Sequence, residues 1–381
     1  MTIPFGWQEK FISVPEGSYG VIQGPAAPNA MVMRILESEF TGDAERMPRD
    51  DKNYTRSQIE QILGRFSATW RVRKYLMPHG NPGDYPNDSN LLRAGFGYQA
   101  STGGSQVQYT LKRENDESLT LWRGTDKYTE AVYGAVVNEI EFRVGGGDFA
   151  SVEYRGLAKK LIHTGTGTLS SSGATGATTI EVASFDSFSV GSFIQVGTSD
   201  ASGQGHKVTA IDRAAGTLTI DPGLDSEQGA GVEIKPFWPS LVTYGSPIPG
   251  ISGKMEIAGT EFKIRTGTVT LTQNLGLVND EFGTDSASDI LNPALREVNF
   301  SFEMLHRITR DFIFGQSLLD LAQQLKLTIG TATGKTVELL IPKAKFNRPP
   351  VTIPEKDAQT LALSGIGLMT DGEDELILTI K

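Results

Sequence analysis

From Ala135 to Val144 the chain alternates: Val136, Ile140, Phe142 and Val144 share one parity, and Glu139, Glu141 and Arg143 share the other. Residues two apart on a strand point to one face, so this is the pattern of a strand with one buried and one wet side. Gly145, Gly146 and Gly147 then interrupt it, and a second run opposes Val152 and Tyr154 to Glu153 and Arg155. Glycine accepts either sign of φ, so the whole reads as a β-hairpin closed by a loose loop.

Sliding the chain along itself finds an echo of this hairpin near the C-terminus. Ala135, Asn138 and Gly156 fall on Ala344, Asn347 and Gly365, since 344−135, 347−138 and 365−156 all equal 209. Val144, Val152, Tyr154 and Leu157 fall on Ile353, Leu361, Leu363 and Ile366 without a gap. Three identities in so short a window carry little alone; the apolar parity kept on both sides of the loop points to an internal repeat.

A chain of 381 residues has length for two or three cores. Cysteine is absent, which excludes disulfides, thiolate nucleophiles and zinc fingers. With 35 basic and 45 acidic side chains the net charge is −10, which argues against a surface built to grip nucleic acid. No basic segment followed by an apolar run opens Met1–Ser13, and nowhere do about twenty apolar residues follow one another, so the expectation is a soluble chain with no membrane insertion. Glycine occurs 43 times, above the usual ~7%. With short alternating runs, this points to a mainly β chain with many turns.

Residues 1–30, with Pro4, Pro15, Pro25 and Pro28, read as an N-terminal arm. Met31–Phe40 reads as a strand, and the charged stretch Thr41–Asn53 as a long loop suited to an interaction. Thr55 and Gln58 resemble a capping box and predict a helix over Thr55–Arg65. A strand over Ser67–Leu76, a short helix over Ser89–Phe96, and strands over Val107–Arg113 and Leu119–Arg123 lead into the hairpin. Between Thr164 and Pro236, Gly, Ser, Thr and Ala crowd in and short strands follow closely, the mark of a small β-module; Gly165–Gly176 alone has the composition of a linker. After it come strands over Phe262–Gly276, Glu297–Arg307, Val337–Ile341 and Glu375–Ile380, with a helix predicted over Gln316–Leu325. The domain reading is an arm (1–30), a first unit (31–163), an inserted module (164–236) and a second unit (237–381).

No stretch carries a strong catalytic signature. His79, His163, His206 and His306 lie too far apart in sequence for a paired zinc helix. Gly330, Gly334, Lys335 and Thr336 imitate a phosphate loop, but Ile329 stands where its first glycine belongs and a strand follows, so a hairpin turn is expected. Asp371, Glu373, Asp374 and Glu375 lack the calcium-loop frame and read as a solvated turn. Glu139 and Glu141, about 7 Å apart by strand rise, have a spacing open to glycosidase chemistry, although alternation explains them as the wet side of a strand. No metal or cofactor is called for.

Taken together, Gly64–Trp70 continuing to Tyr75–Pro78, Leu91–Leu92 with Phe96–Gly97, the hairpin ending at Gly156, and Pro342 through Phe346–Asn347 to Leu361–Gly365 resemble the major tail tube proteins of long, flexible-tailed bacteriophages. The resemblance covers most of residues 31–163 and 240–381. It implies two orthogonal β-sandwich or barrel units, each with a short flanking helix, whose hairpins lie beside those of neighbouring subunits to close an inner barrel. It further implies a non-enzymatic virion protein, assembled in the host cytoplasm, whose stacked rings form the tube that DNA crosses without specific binding.

On that reading the lumen candidates are Asn138, Glu139, Glu141, Arg143, Glu153, Arg155 and Asn347, making a net acidic wall. Asp43, Arg46, Arg49 and Asp50, with the N-terminal arm, are the candidates for contact with the next ring. The partners are copies of the chain, three per ring if both halves are tube units and six otherwise, together with tape-measure, terminator and baseplate proteins. The module is expected on the outer surface. The competing readings are a secretion-type ring, a terminator or a baseplate component of the same fold, and a carbohydrate-active β-protein using Glu139 or Glu153 as acid or base.

Overall fold

The computed structural model describes residues 8–49, 60–240, 242–305, 321–352 and 358–381. The chain opens with β1 (Lys10–Pro15), β2 (Met31–Met33) and the hairpin β3 (Glu37–Pro48) and β4 (Gln61–Tyr75). Helix α1 (Ser89–Phe96) follows, ended by Gly97 in the left-handed region at φ 92°. Then come β5 (Gly97–Thr102), β6 (Gln106–Leu111), β7 (Leu119–Gly124), β8 (Thr129–Gly145), β9 (Ser151–Ala158) and β10 (Lys160–Thr164).

These strands form two antiparallel layers that share β8. The outer layer runs β2-β1-β7-β8-β10, and the inner one β3-β4-β9-β8. β8 passes from one to the other at a bulge, where Val137 pairs with Gly156 and Glu139 with Arg155, leaving Asn138 over. One extra residue reverses the parity. Ala135 and Val137 therefore face the same core as Ile140 and Phe142, while Val136 turns away, a correction to the single alternating face expected from the sequence.

The module comprises β11 (Gly167–Thr168), β12 (Thr179–Glu181), β13 (Phe193–Val196), β14 (His206–Asp212), β15 (Thr217–Asp221) and β16 (Glu233–Pro236). Its sheet, ordered β11-β16-β13-β14-β15-β12, surrounds a core of its own that includes Ile180, Ile194, Val208, Leu218 and Ile234. The linker-like 165–176 stretch is built in, with the Leu169 and Gly173 amides bonded to Val232 and Gln228.

The second unit contains β17 (Gly253–Ile257), β18 (Thr260–Phe262), β19 (Ile264–Thr272), the arm strands β20 (Gly276–Val278) and β21 (Asp289–Leu291), and β22 (Glu297–Leu305). It ends with β23 (Gln323–Ile329), β24 (Val337–Phe346), β25 (Val351–Thr352), β26 (Thr360–Leu368) and β27 (Ile377–Ile380). Its outer layer is β18-β17-β23-β24-β27, and its inner layer is β19-β22-β26 with β24 and β25 beyond. Strand for strand, this is the plan of the first unit. β6 pairs with β27, so the β5–β6 hairpin of the first unit extends the outer layer of the second.

The repeat holds at the level of register. Val136↔Leu157 and Val137↔Gly156 become Lys345↔Ile366 and Phe346↔Gly365, each shifted by 209. Beyond the loop, Phe142↔Val152 becomes Val351↔Leu361, shifted by 209 again. The register break that β7 makes on β8 between Leu119 and Leu121 recurs on β24 between Gln323 and Leu325. The chain is thus mainly β, two sandwich units and an inserted β-module, with no barrel closed among the described residues.

Four local expectations are corrected. Lys10–Pro15 is no arm but an inner strand of the outer layer. Phe11 faces the main core while Ile12 and Val14 face a second cluster, so both sides are buried and no alternation shows. The stretch Thr41–Pro48 continues β3 where a loop was expected. Gln61–Arg65 belongs to β4, not a helix, because pairing with β3 overrides the local capping signal; residues 55–59 lie outside the described ones. Gln323–Leu325 opens β23, where the period-two series Leu325, Leu327, Ile329 buries against the core; residues 316–320 lie outside the described ones, and of the three helices expected only α1 is seen among the described residues.

Candidate functional site

The two inner layers meet edge to edge. β19 pairs with the second half of β8 from Thr266↔Gly145 to Thr272↔Glu139, which makes one antiparallel sheet of eight strands, β3-β4-β9-β8-β19-β22-β26-β25. Its core side carries Phe40, Trp70, Val72, Tyr154, Ile140, Phe142, Val269, Leu271, Phe300, Phe302 and Leu363, all buried. The opposite side is mostly polar, with Leu305 and Ile366 exposed on it. Glu39, Arg71, Arg155, Glu139 and Thr272 stand in one cross-strand row, and Glu37, Arg73, Glu153, Glu141, Thr270 and Asn299 in the next.

The first-unit half of this face is an ion-pair lattice. Glu153, only 2% exposed, lies 2.7 Å from Arg155, 3.1 Å from Arg143 and 3.7 Å from Arg71. Arg155 also reaches Glu139 at 2.7 Å, Arg143 reaches Glu141 at 2.8 Å, and Arg71 pairs with Glu37 and Glu39. The hydrogen bond from Arg143, helped by the charges of Arg143, Arg155 and Arg73, holds the Glu141 carboxyl below its ordinary range. Five glutamates and four arginines share this half of the face, so most charges of the expected acidic wall are paired and a small acidic excess is left. The second-unit half carries mostly hydroxyls and amides, Thr266, Thr268, Thr270 and Thr272 beside Asn299, Ser301 and Ser364, with Glu297 and Glu303 at its two ends.

Of the lumen candidates, Glu139, Glu141, Arg143, Glu153 and Arg155 come together on this face. Asn138 does not act with them: its Oδ1 accepts from the Leu275 amide at 2.7 Å and its carbonyl from the Gln273 amide at 2.8 Å, fastening the end of the β8–β19 joint. Asn347 is exposed, its amide and Nδ2 donating to Ser364. Asp43 and Arg46 are exposed on β3, Arg49 follows it beside Glu60, and Asp50 lies outside the described residues. Met47, Ile62 and Leu63 lie exposed at the same end of the β3–β4 hairpin. Sequence reasoning passed over Arg71, Arg73 and the threonine stripe, although the alternation of Thr266–Thr272 carried the signal.

The remaining motifs are structural. His206 is buried between Ser199 Oγ and the Pro222 carbonyl, each at 2.8 Å; His79 lies against Tyr244 with the rings tilted by 38°; His163 lies exposed beside Ser189; and His306 is outside the described residues. Gly330–Thr336 is the β23–β24 turn, as expected. Glu373 and Glu375 pair with Arg296, and Asp374 accepts from the Thr370 and Asp371 amides. Among the described residues no group of His, Asp and Glu is arranged to hold a metal, and no helix is long and apolar enough to cross a membrane.

The module sits on the far side of the molecule from the polar face. Phe193 meets Trp122 edge-on at 5.6 Å, on the side of the outer layer turned away from the main core. The Trp238 indole donates to the Thr125 carbonyl at 2.9 Å, and Lys127 pairs with Glu233. No protein-family model matches this chain, and no curated protein matches it.

Proposed function

We propose that this protein is a self-assembling structural component of a phage tail tube, three chains to a ring, the rings stacked around a water-filled bore. One observation carries the reading: an eight-stranded sheet, polar on one side, ends in two strands that pair with nothing further among the described residues, β3 and β25. Open edges are aggregation hazards, and a ring that joins the last strand of one copy to the first of the next removes them. Eight strands from each of three copies make twenty-four. At ~4.8 Å between strands and ~40° of tilt, such a barrel is about 50 Å across its backbone.

The chemistry of the polar face suits a conduit for DNA. Arg71, Arg143 and Arg155 are already matched by carboxylates, and of the arginines in this half only Arg73 has no ion pair among the described residues, which leaves little free cation to hold phosphate. The same lattice disfavours the carbohydrate-active reading, since Glu153 is clamped by three arginines and Glu139 is paired with Arg155, the reverse of the uncompensated burial that keeps a general acid protonated. Tape-measure, terminator and baseplate proteins are the partners such a tube requires, and the virion tail is its location. The module, on the opposite side from the bore, decorates the exterior.

Negative-stain electron microscopy of the purified protein tests this directly. Rings or hollow tubes of constant bore are expected. A species that stays monomeric on concentration, by light scattering and by microscopy, overturns it.

A further inference from the structure

The two unpaired edges repeat a joint that the chain already makes inside itself. By the 209-residue shift, β25 stands where the second half of β8 stands, with Phe142↔Val152 matched by Val351↔Leu361. β3 likewise stands where β19 stands: Phe40 pairs with Trp70, which pairs with Gly156, and Val269 pairs with Phe300, which pairs with Gly365. Within the chain the second half of β8 lies on β19 with Phe142↔Val269 and Arg143↔Thr268.

We infer that β25 of one copy pairs antiparallel with β3 of a second copy in this same register, placing Val351 opposite Phe40 and Thr352 opposite Glu39 of the next copy. The inference rests on the ring reading above and specifies which edge meets which, and where.

Backbone direction supports the register. The Gly146 amide donates to the Arg265 carbonyl at 2.9 Å, so in this half of β8 the even residues, Phe142 included, turn their amides and carbonyls to β19. In the second unit the Ala362 amide donates to the Pro350 carbonyl at 3.3 Å, so Pro350 faces β26 and Val351 turns its own groups to the open edge. The phase is the same in both. A second clasp follows the same logic: the β20–β21 arm, at the far end of β19 and β22, folds under the first unit, with the Phe66 amide on the Asp285 carbonyl at 2.8 Å and Lys160 on Asp285 at 3.5 Å. The corresponding end of β3 and β4 bears the exposed Met47, Ile62 and Leu63, which need such a neighbour. Because the joining edges are different strands, the contact is head-to-tail rather than two-fold, the kind of contact that a closed ring requires.

The absence of cysteine makes the test clean. Arg143 and Thr268 form a non-hydrogen-bonded pair, the close kind that accepts a disulfide, so the interchain counterpart is Glu39→Cys with Thr352→Cys. Under oxidation this double variant should give a covalent ladder ending at the closed trimer on a non-reducing gel, and equimolar mixing of the two single variants should give a covalent dimer that neither gives alone to a comparable extent. Arg143→Cys with Thr268→Cys should cross-link within one chain, and Glu39→Cys with Pro350→Cys, two residues off register, should cross-link at least tenfold less. Rings or tubes visible by microscopy, with the in-chain pair oxidised but no ladder from Glu39→Cys with Thr352→Cys, overturn the register and leave the ring reading standing. No ring, tube or ladder from protein whose in-chain pair oxidises overturns the ring reading itself.

Discussion

Trp70 lies directly across the strand pair from Gly156, its ring in the space a side chain there would need. A β-carbon on Gly156 would stand 2.8 Å from the indole and collide with the Val136 carbonyl. In the second unit Phe300 lies across from Gly365, where a β-carbon would stand 2.5 Å from the ring and collide with the Lys345 carbonyl. The same steric solution, an aromatic laid over a glycine beside a bulge, occurs at both ends of the 209-residue shift.

Gly156→Ala should therefore destabilise the fold by about 3 kcal/mol, as overpacking against backbone does. Gly365→Ala should do the same in the second unit, while Gly147→Ala, with open space around it, should be nearly neutral. Urea unfolding midpoints of the three variants measure this.

Lys74 and Asp88 form an ion pair at 3.0 Å with almost no solvent exposure, and the Tyr154 hydroxyl donates to the same carboxylate at 2.7 Å. Lys74→Met leaves Asp88 charged and buried with one hydrogen bond from a phenol. A loss of about 3–5 kcal/mol is expected, with partial recovery in Lys74→Met/Asp88→Asn. A double-mutant cycle by chemical denaturation reads both.

The lowered Glu141 carboxyl has a defined pH signature. Its folded-state pKa lies below the unfolded one, so the unfolded chain binds more protons between the two values and stability rises with pH through that window. The stability gap between the native protein and Glu141→Gln should be full above the ordinary carboxylate range and should close as pH falls through the lowered value. Thermal melts from pH 7 down to pH 3 check this. Tubes of Glu139→Gln/Glu141→Gln should still assemble, because neutral side chains keep the strand pairing.

Excising the module should leave the tube and remove only its outer relief. Gly167 pairs with Ile234, so the two ends of the insertion are neighbours and a short Gly-Ser bridge closes them. Microscopy should show an unchanged bore and a smaller outer diameter. Some stability is lost with the Phe193–Trp122 contact, about 1–2 kcal/mol for an aromatic pair and its burial.

Much of this architecture is legible in the chain. The hairpin Ala135–Leu157, its echo, the module's strands and α1 follow from local periodicity, glycine placement and capping, all short-range properties. The edges that failed share one cause. Lys10–Pro15 hides its period because both sides are buried, and Gln61–Arg65 and Gln323–Leu325 look helical only until β3 and β17 pair with them.

By itself the sequence determined that the chain is β-rich, that its two halves repeat at a shift of 209, and that Glu139, Glu141, Arg143, Glu153 and Arg155 share a wet strand face. Only the tertiary structure decided that this face continues from β8 onto β19, that Asn138 fastens the joint, that three arginines surround Glu153, and that β3 and β25 have no further partner among the described residues. Those are relations between different strands, from ten to more than a hundred residues apart, or between a residue and one extra neighbour at a bulge. Side-chain alternation along one strand does not encode which other strand will supply the hydrogen bonds.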